Sequence, residues 1–294
     1  MKNSFLKLSV LVISIISLFS CNAQEKENKK WQREDTVKIK GSEALFYPVR
    51  DIIANHKKQF IKEHIDLEST GSTMGIMELI NGNADIALST RKLTKQEQNE
   101  LALNNIKLKE VKICKEVVVI VTNSKNSVFQ LSKKELAGIF SGSITSWDSV
   151  GGLTEPIKVF IRPNNTGCYY GFKSMLLDRY GKDYSENALS LKSNSEIKSY
   201  LIKYPFGISF LGYGSFKVNT FLNKGIKPIR VENSSNEFIF PSVENINSGQ
   251  YDLTRDCYIY YKEENAEKFN NIINTLKSND SKVIFQDFGF IYLN

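Results

Sequence analysis

From Val37 onward, short apolar or alternating runs are followed by stretches whose apolar residues recur every three or four positions. That pattern predicts strands alternating with helices, and so an α/β fold with mainly parallel sheets flanked by helices. "TVKIKGSEALFYPVRDIIANHKKQF" opens as a strand, turns at Gly41-Ser42, and continues as a helix with Leu45, Val49, Ile52, Ile53 and Phe60 on one face. "IDLESTGSTMGIMELINGNADIALSTR" repeats this plan, with Met74, Met77 and Ile80 on the helix and Asn81-Gly82 ending it before the strand "ADIALS". Capping boxes start three later helices: Thr94 with Glu97, Ser132 with Glu135, and Ser193 with Glu196. "KEVVVIVTN" is a β-branched run suited to a strand buried on both faces. "FGISFLGYG" and "YDLTRDCYIYYK" read as further strands, 265–277 as a helix, and "GFIYL" as a short terminal strand.

The first 21 residues depart from this rhythm. Lys2 and Lys7 precede an apolar stretch from Leu8 to Phe19, the layout of a secretory signal. Leu18-Phe19-Ser20-Cys21 resembles a bacterial lipobox with a bulky Phe19, so Cys21 is expected to carry lipid and hold the chain outside the cytoplasmic membrane; plain signal cleavage and an uncleaved anchor are the alternatives. Residues 22–36 are densely charged and read as a tether. Loss of the leader lowers the formal net charge from +7 to about +5, a weak bias toward anionic partners. The basic residues are scattered without interleaved aromatics, so no nucleic-acid surface is expected.

Cys114, Cys168 and Cys257 remain, allowing at most one disulfide of unassigned pairing, and burial as small apolar residues is the reading for Cys114 and Cys257. No CxxC spacing suggests zinc, and His56 and His64, read on one helix, stand too far apart to share a metal; no metal or cofactor is expected.

Candidate chemistry sits where strands hand over to helices. "GSEA" at 41, "TGSTMG" at 70 and "NNTGC" at 164 are rich in Gly, Ser, Thr and Asn, and a helix N-terminus offers unpaired N–H groups and the positive end of its dipole to an anion. Arg91 and Arg162 stand where strand-like runs end, and together these features point to an anion site. Cys168 at a helix start has no histidine nearby in sequence, which argues against a cysteine nucleophile and against an enzyme.

At "FSGSITSWDSVGGLTEPIKVFIRPNNTGC" the chain resembles the phosphate-binding proteins of bacterial ABC transporters, whose pattern reads IF-x-G-x-I-x-x-W-x-x-V-G-G, a strand, then R-x-x-x-S-G-T. "GSEAL", "GSTMGIMELINGNADIALSTRKL", "FGISFLGYG" and "GQYDLTRDCYIYY" extend the resemblance from about Val37 to the end. It implies a two-domain periplasmic-binding-protein type II fold, with 37–117 plus 245–294 as one domain and 118–244 as the other. Two crossover hinge strands would join them, "KEVVVIV" being the first, with ligand held between the domains. It implies a monomeric, extracytoplasmic receptor, on the periplasmic side or the cell surface, that hands inorganic phosphate or another small oxyanion to a permease. Trp147 is expected to pack a domain rather than touch ligand.

Carried over residue by residue, the resemblance assigns anion contacts to Ser72, to Thr90 with Arg91 beside it, and to Arg162, Thr166, Gly167 and Cys168. The first loop supplies Ser42, the N–H of Ala44, and Glu43 where the family has threonine. Cys168 exchanges an O–H for a weaker S–H at a cost of about 1 kcal/mol. Glu43 would repel an anion about 4 Å away by roughly 4 kcal/mol at an effective dielectric of 20. Phosphate at neutral pH, unlike sulfate, still carries a proton, and Glu43 is expected to accept it, a task the family gives to an Asp at the position of Thr90, or else to turn outward and merely serve its helix N-terminus. The alternative is that Glu43 and Cys168 adapt the same fold to another ligand or to a sensory or structural role.

Overall fold

The structure is a computed structural model and describes residues 36–60, 64–217 and 224–292. The expected leader, the expected lipidation site Cys21 and the tether up to residue 35 lie outside the described residues.

The strands are β1 (Thr36–Gly41), β2 (His64–Ser69), β3 (Ile86–Ser89), β4 (Leu108–Asn123), β5 (Gln130–Leu131), β6 (Lys158–Ile161) and β7 (Leu189–Ser190). After them come β8 (Gly207–Gly212), β9 (Ile226–Pro228), β10 (Arg230–Glu232), β11 (Phe238–Ile239), β12 (Thr254–Lys262) and β13 (Phe290–Tyr292). The first six helices are α1 (Glu43–Asn55), α2 (Ser72–Ile80), α3 (Lys95–Leu103), α4 (Lys133–Phe140), α5 (Gly167–Met175) and α6 (Asn194–Lys203). They are followed by α7 (Tyr213–Lys217), α8 (Val243–Asn247), α9 (Ala266–Leu276) and α10 (Asn279–Asp287).

One sheet runs β2-β1-β3-β12-β4-β8-β6-β7, with β13 and β9 also pairing to β4, and a small second sheet runs β11-β10-β5. The flanks follow the parallel α/β plan: β1 pairs in parallel with β2 and β3, and β6 with β7 and β8. The antiparallel joins of the large sheet are all made by β4 or β12.

Strand β4 ties the two flanks together. Ile113 and Cys114 belong to a core with Leu45, Ile52, Phe269 and Phe285, whereas Val117, Val118 and Ile120 belong to another with Phe140, Trp147 and Phe210. The "VVVIV" run explains this path, because β-branched residues buried on both faces can be packed by either core. Trp147 is fully buried and its indole N–H donates to the Phe206 carbonyl at 3.0 Å, so it packs a core as expected.

Several local expectations need correction. Helix α1 ends at Asn55 and leaves Phe60 in the following turns, while Met74 faces outward because Ile76, Leu79 and Ile80 form the buried face of α2. The boxes at Thr94 and Ser132 are complete, but at Ser193 only half forms: its hydroxyl accepts the Glu196 N–H at 3.1 Å, while the Glu196 carboxylate accepts the Lys192 N–H at 2.7 Å. Helix α10, capped by Ser278, was not apparent because its apolar positions are few. Cys114 and Cys257 are register partners on β4 and β12, fully buried free thiols, and burial followed by contact with Cys257 pushes the Cys114 thiol up.

Candidate anion-binding site

Three strand-to-helix junctions, β1 to α1, β2 to α2 and β6 to α5, bring their helix N-termini to one cavity of about 770 Å³. Ligands of open α/β sheets gather at such carboxyl ends of parallel strands. The first two loops are tied through Gly41, whose carbonyl accepts the Thr70 and Gly71 N–H groups at 3.1 and 2.8 Å. Gly41 has φ of 141°, and a Cβ there would collide with the Leu88 carbonyl. The Ser42 N–H meanwhile donates to that carbonyl at 2.9 Å, which pins β1 against β3.

The caps differ in what they leave free. Ser42 makes no side-chain cap on α1, and α2 is capped by Gly71, which has no side chain to offer, so neither cap residue's side chain claims a first-turn N–H, and those of Glu43 and Ala44 are left to an incoming acceptor. Ser72 accepts the Thr90 N–H at 3.2 Å and keeps its own hydroxyl proton for donation. Thr166 is committed to its helix: it accepts the Tyr169 N–H at 3.3 Å and donates to the Pro163 carbonyl at 2.7 Å. Gly167 brings α5 against the start of α2 and Thr90, for a Cβ there would overlap the Ser72 and Thr90 hydroxyls.

Arg162 supplies the charge. Its side chain is 7% exposed; one terminal nitrogen donates to Asn194 Oδ1 and the other to Glu43 Oε2, each at 3.1 Å, and Nε has no partner. Glu43, 52% exposed on its side chain, therefore reaches across the cavity to the guanidinium that an anion would use. Cys168 lines the cavity with its sulfur 3.3 Å from Arg255 Nη2, and Arg255 also donates to the Gly167 carbonyl at 3.0 Å. The Arg255 Nε–H donates in turn to Glu116 at 2.8 Å, a buried pair that braces the α5 N-terminus from beneath.

Of the ten residues expected at the site, Ser42, Glu43, Ala44, Ser72, Thr90, Arg162, Thr166, Gly167 and Cys168 line this cavity. Arg91 does not. Its guanidinium donates to both Glu97 oxygens, at 2.9 and 2.7 Å, and to Thr73 at 3.0 Å, and it borders a separate cavity of about 440 Å³. Burial alone would raise the Glu97 carboxyl, but Arg91 holds it below the usual carboxylate range. The capping glutamate of α3 has thus claimed the arginine. The two histidines do not share a helix either: His56 closes α1 with Nδ1 2.9 Å from the Ile52 carbonyl, and His64 opens β2.

Asn194, Lys198, Ser215, Glu116 and Arg255 were not singled out from the sequence as site residues. Asn194 follows a cap residue already recognised at Ser193, which was the only local signal; the Arg255–Glu116 contact spans 139 positions and has none.

A family model described as a PBP superfamily domain matches residues 27–277. The phosphate-binding protein PstS of Borreliella burgdorferi is 25% identical over 97% of this chain and 98% of its own length. An ABC-type phosphate transport receptor from Vibrio cholerae aligns with 87% of this chain and 99% of its own at 29% identity and a TM-score of 0.69. A putative phosphate ABC transporter substrate-binding protein with bound phosphate from Clostridium perfringens shares the fold, with a TM-score of 0.72 over 88% of this chain and 100% of its own at 22% identity. With the match spanning most of its length, and with these junctions converging on one cavity, the chain belongs to the PBP superfamily.

Proposed function

We propose that this protein is an extracytoplasmic solute-binding protein that takes inorganic phosphate into the cavity and delivers it to the permease of an ABC transporter. One observation carries the reading: three helix N-termini and the buried Arg162 border a single cavity. Together they supply N–H donors, a free Ser72 proton and a full positive charge, which suits a tetrahedral oxyanion. The names of the PstS relative and of the Vibrio cholerae receptor support phosphate as that anion. Residues 37–117 plus 245–294 would form one domain and 118–244 the other, with β4 as a crossover strand; Cys21 would carry the lipid that keeps a monomeric receptor at the membrane. The task is binding, with no chemical turnover.

Calorimetry with inorganic phosphate tests the site. The wild-type protein should bind one phosphate, and Arg162→Met should weaken it about 100-fold, since a buried charge-assisted pair is lost. Equal binding by both proteins would remove Arg162 from the site.

The Glu43–Arg162 ion pair favours a second reading, in which the same fold serves another ligand or a sensory or structural role. Failure of phosphate to raise the melting temperature would select it.

A further inference from the structure

The cavity is far larger than phosphate requires. A five-heavy-atom oxyanion fills at most about 150 Å³, allowing each heavy atom the ~30 Å³ of a water molecule. The cavity holds about 770 Å³, within the size range of pockets for small organic ligands. Within that space Gly167 closely approaches Ser72 and Glu43 reaches Arg162.

The additional volume has its own polar wall. Asn194, which accepts from Arg162, donates through Nδ2 to the Ser215 hydroxyl at 2.9 Å. Lys198, one turn further along α6, donates to the Ser215 carbonyl at 2.7 Å and lines the same cavity. Its residue is 3% exposed, and among the described residues no carboxylate lies within ion-pair distance of its ammonium. A buried cation without a counter-charge is costly, and desolvation accordingly holds the Lys198 pKa below the ordinary lysine value. An anionic group of a ligand would supply the missing charge.

Resting on the anion site proposed above, we infer that the cavity has a second cationic pole at Lys198 and accepts a small phosphorylated organic acid, its phosphate at Arg162 and its second anionic group at Lys198. Asn194 and Lys198 stand four residues apart on one helix face, about 6 Å along the axis. Because Asn194 is bonded to Arg162, the two cations border neighbouring parts of one cavity wall.

Calorimetry of the full chain with inorganic phosphate, glycerol 3-phosphate and 3-phosphoglycerate decides the matter. The two esters are of similar size, and only the second carries a carboxylate. Wild-type protein should bind 3-phosphoglycerate about tenfold or more tighter than glycerol 3-phosphate. Lys198→Met should erase that difference, and Lys198→Arg should retain most of it. Equal affinity for the two esters in the wild type overturns the second pole, as does a preference that survives in Lys198→Met. If Lys198→Met does not fold, the wild-type comparison with Lys198→Arg still decides. Binding of phosphate with neither ester bound overturns the second pole alone and leaves the phosphate receptor standing. Binding of none of the three overturns the anion site as well.

Discussion

Glu43 and Arg162 lie 119 positions apart and meet at 3.1 Å. An anion binding at the proposed site would have to take the Arg162 guanidinium from the Glu43 carboxylate, and the half-exposed position of Glu43 would let it swing aside at small cost, because a solvent-screened pair is weak. Once displaced, the carboxylate repels a fully ionised oxyanion and welcomes one that still carries a proton. The wild-type protein should therefore bind phosphate at least about tenfold tighter than sulfate, and Glu43→Thr should shrink that ratio, chiefly by admitting sulfate. Calorimetric titration with both anions measures the ratio; an unchanged value in Glu43→Thr would exclude the carboxylate from selectivity. At this scale the sequence was informative about placement where a residue's position follows from its own loop, as at Ala44, Gly167 and Ser72, which line the cavity. It misled at Arg91, because a guanidinium goes to whichever carboxylate the fold brings closest, and Glu97 waits six residues away.

Elements were legible wherever their signals are local. The full boxes at Thr94 and Ser132, the stop at Asn81-Gly82 and the apolar run of β4 all lie within single stretches of chain. Helix α10 and the small β11-β10-β5 sheet escaped, since the first has a sparse apolar face and the second consists of strands of two or three residues. How elements brace one another follows from pairing across β4 and β12. Glu116 and Arg255 are register partners there, buried together, and Arg255 also holds the Gly167 carbonyl at the start of α5. Arg255→Leu would leave the Glu116 charge buried and unpaired and should cost about 3–5 kcal/mol in urea unfolding, whereas Leu at both positions should recover most of the loss. A double variant no more stable than Arg255→Leu would show that the arginine acts through its contacts to α5 rather than through the pair.

At the scale of the molecule, the proposed anion site draws on both flanks of the sheet: α1, α2 and Thr90 on one side, α5 and Arg162 on the other. A ligand that binds across it stabilises the native state by mass action. Phosphate at about 100 times its dissociation constant should add ~2.7 kcal/mol, seen as a melting-temperature rise of several degrees. The rise should disappear in Arg162→Met; an equal rise in that variant would place the stabilising anion elsewhere. The sequence by itself determined the α/β alternation, the three Gly- and Ser-rich junctions and the family they resemble, because periodicity, caps and turns are written in neighbouring residues. Only the tertiary structure decided that Glu43 reaches Arg162, that Arg91 is spent on Glu97, and that the buried cation at Lys198 shares the cavity. Those outcomes depend on which charged side chains meet across distant strands and how much water is excluded when they do, and neither quantity is encoded in any single stretch of chain.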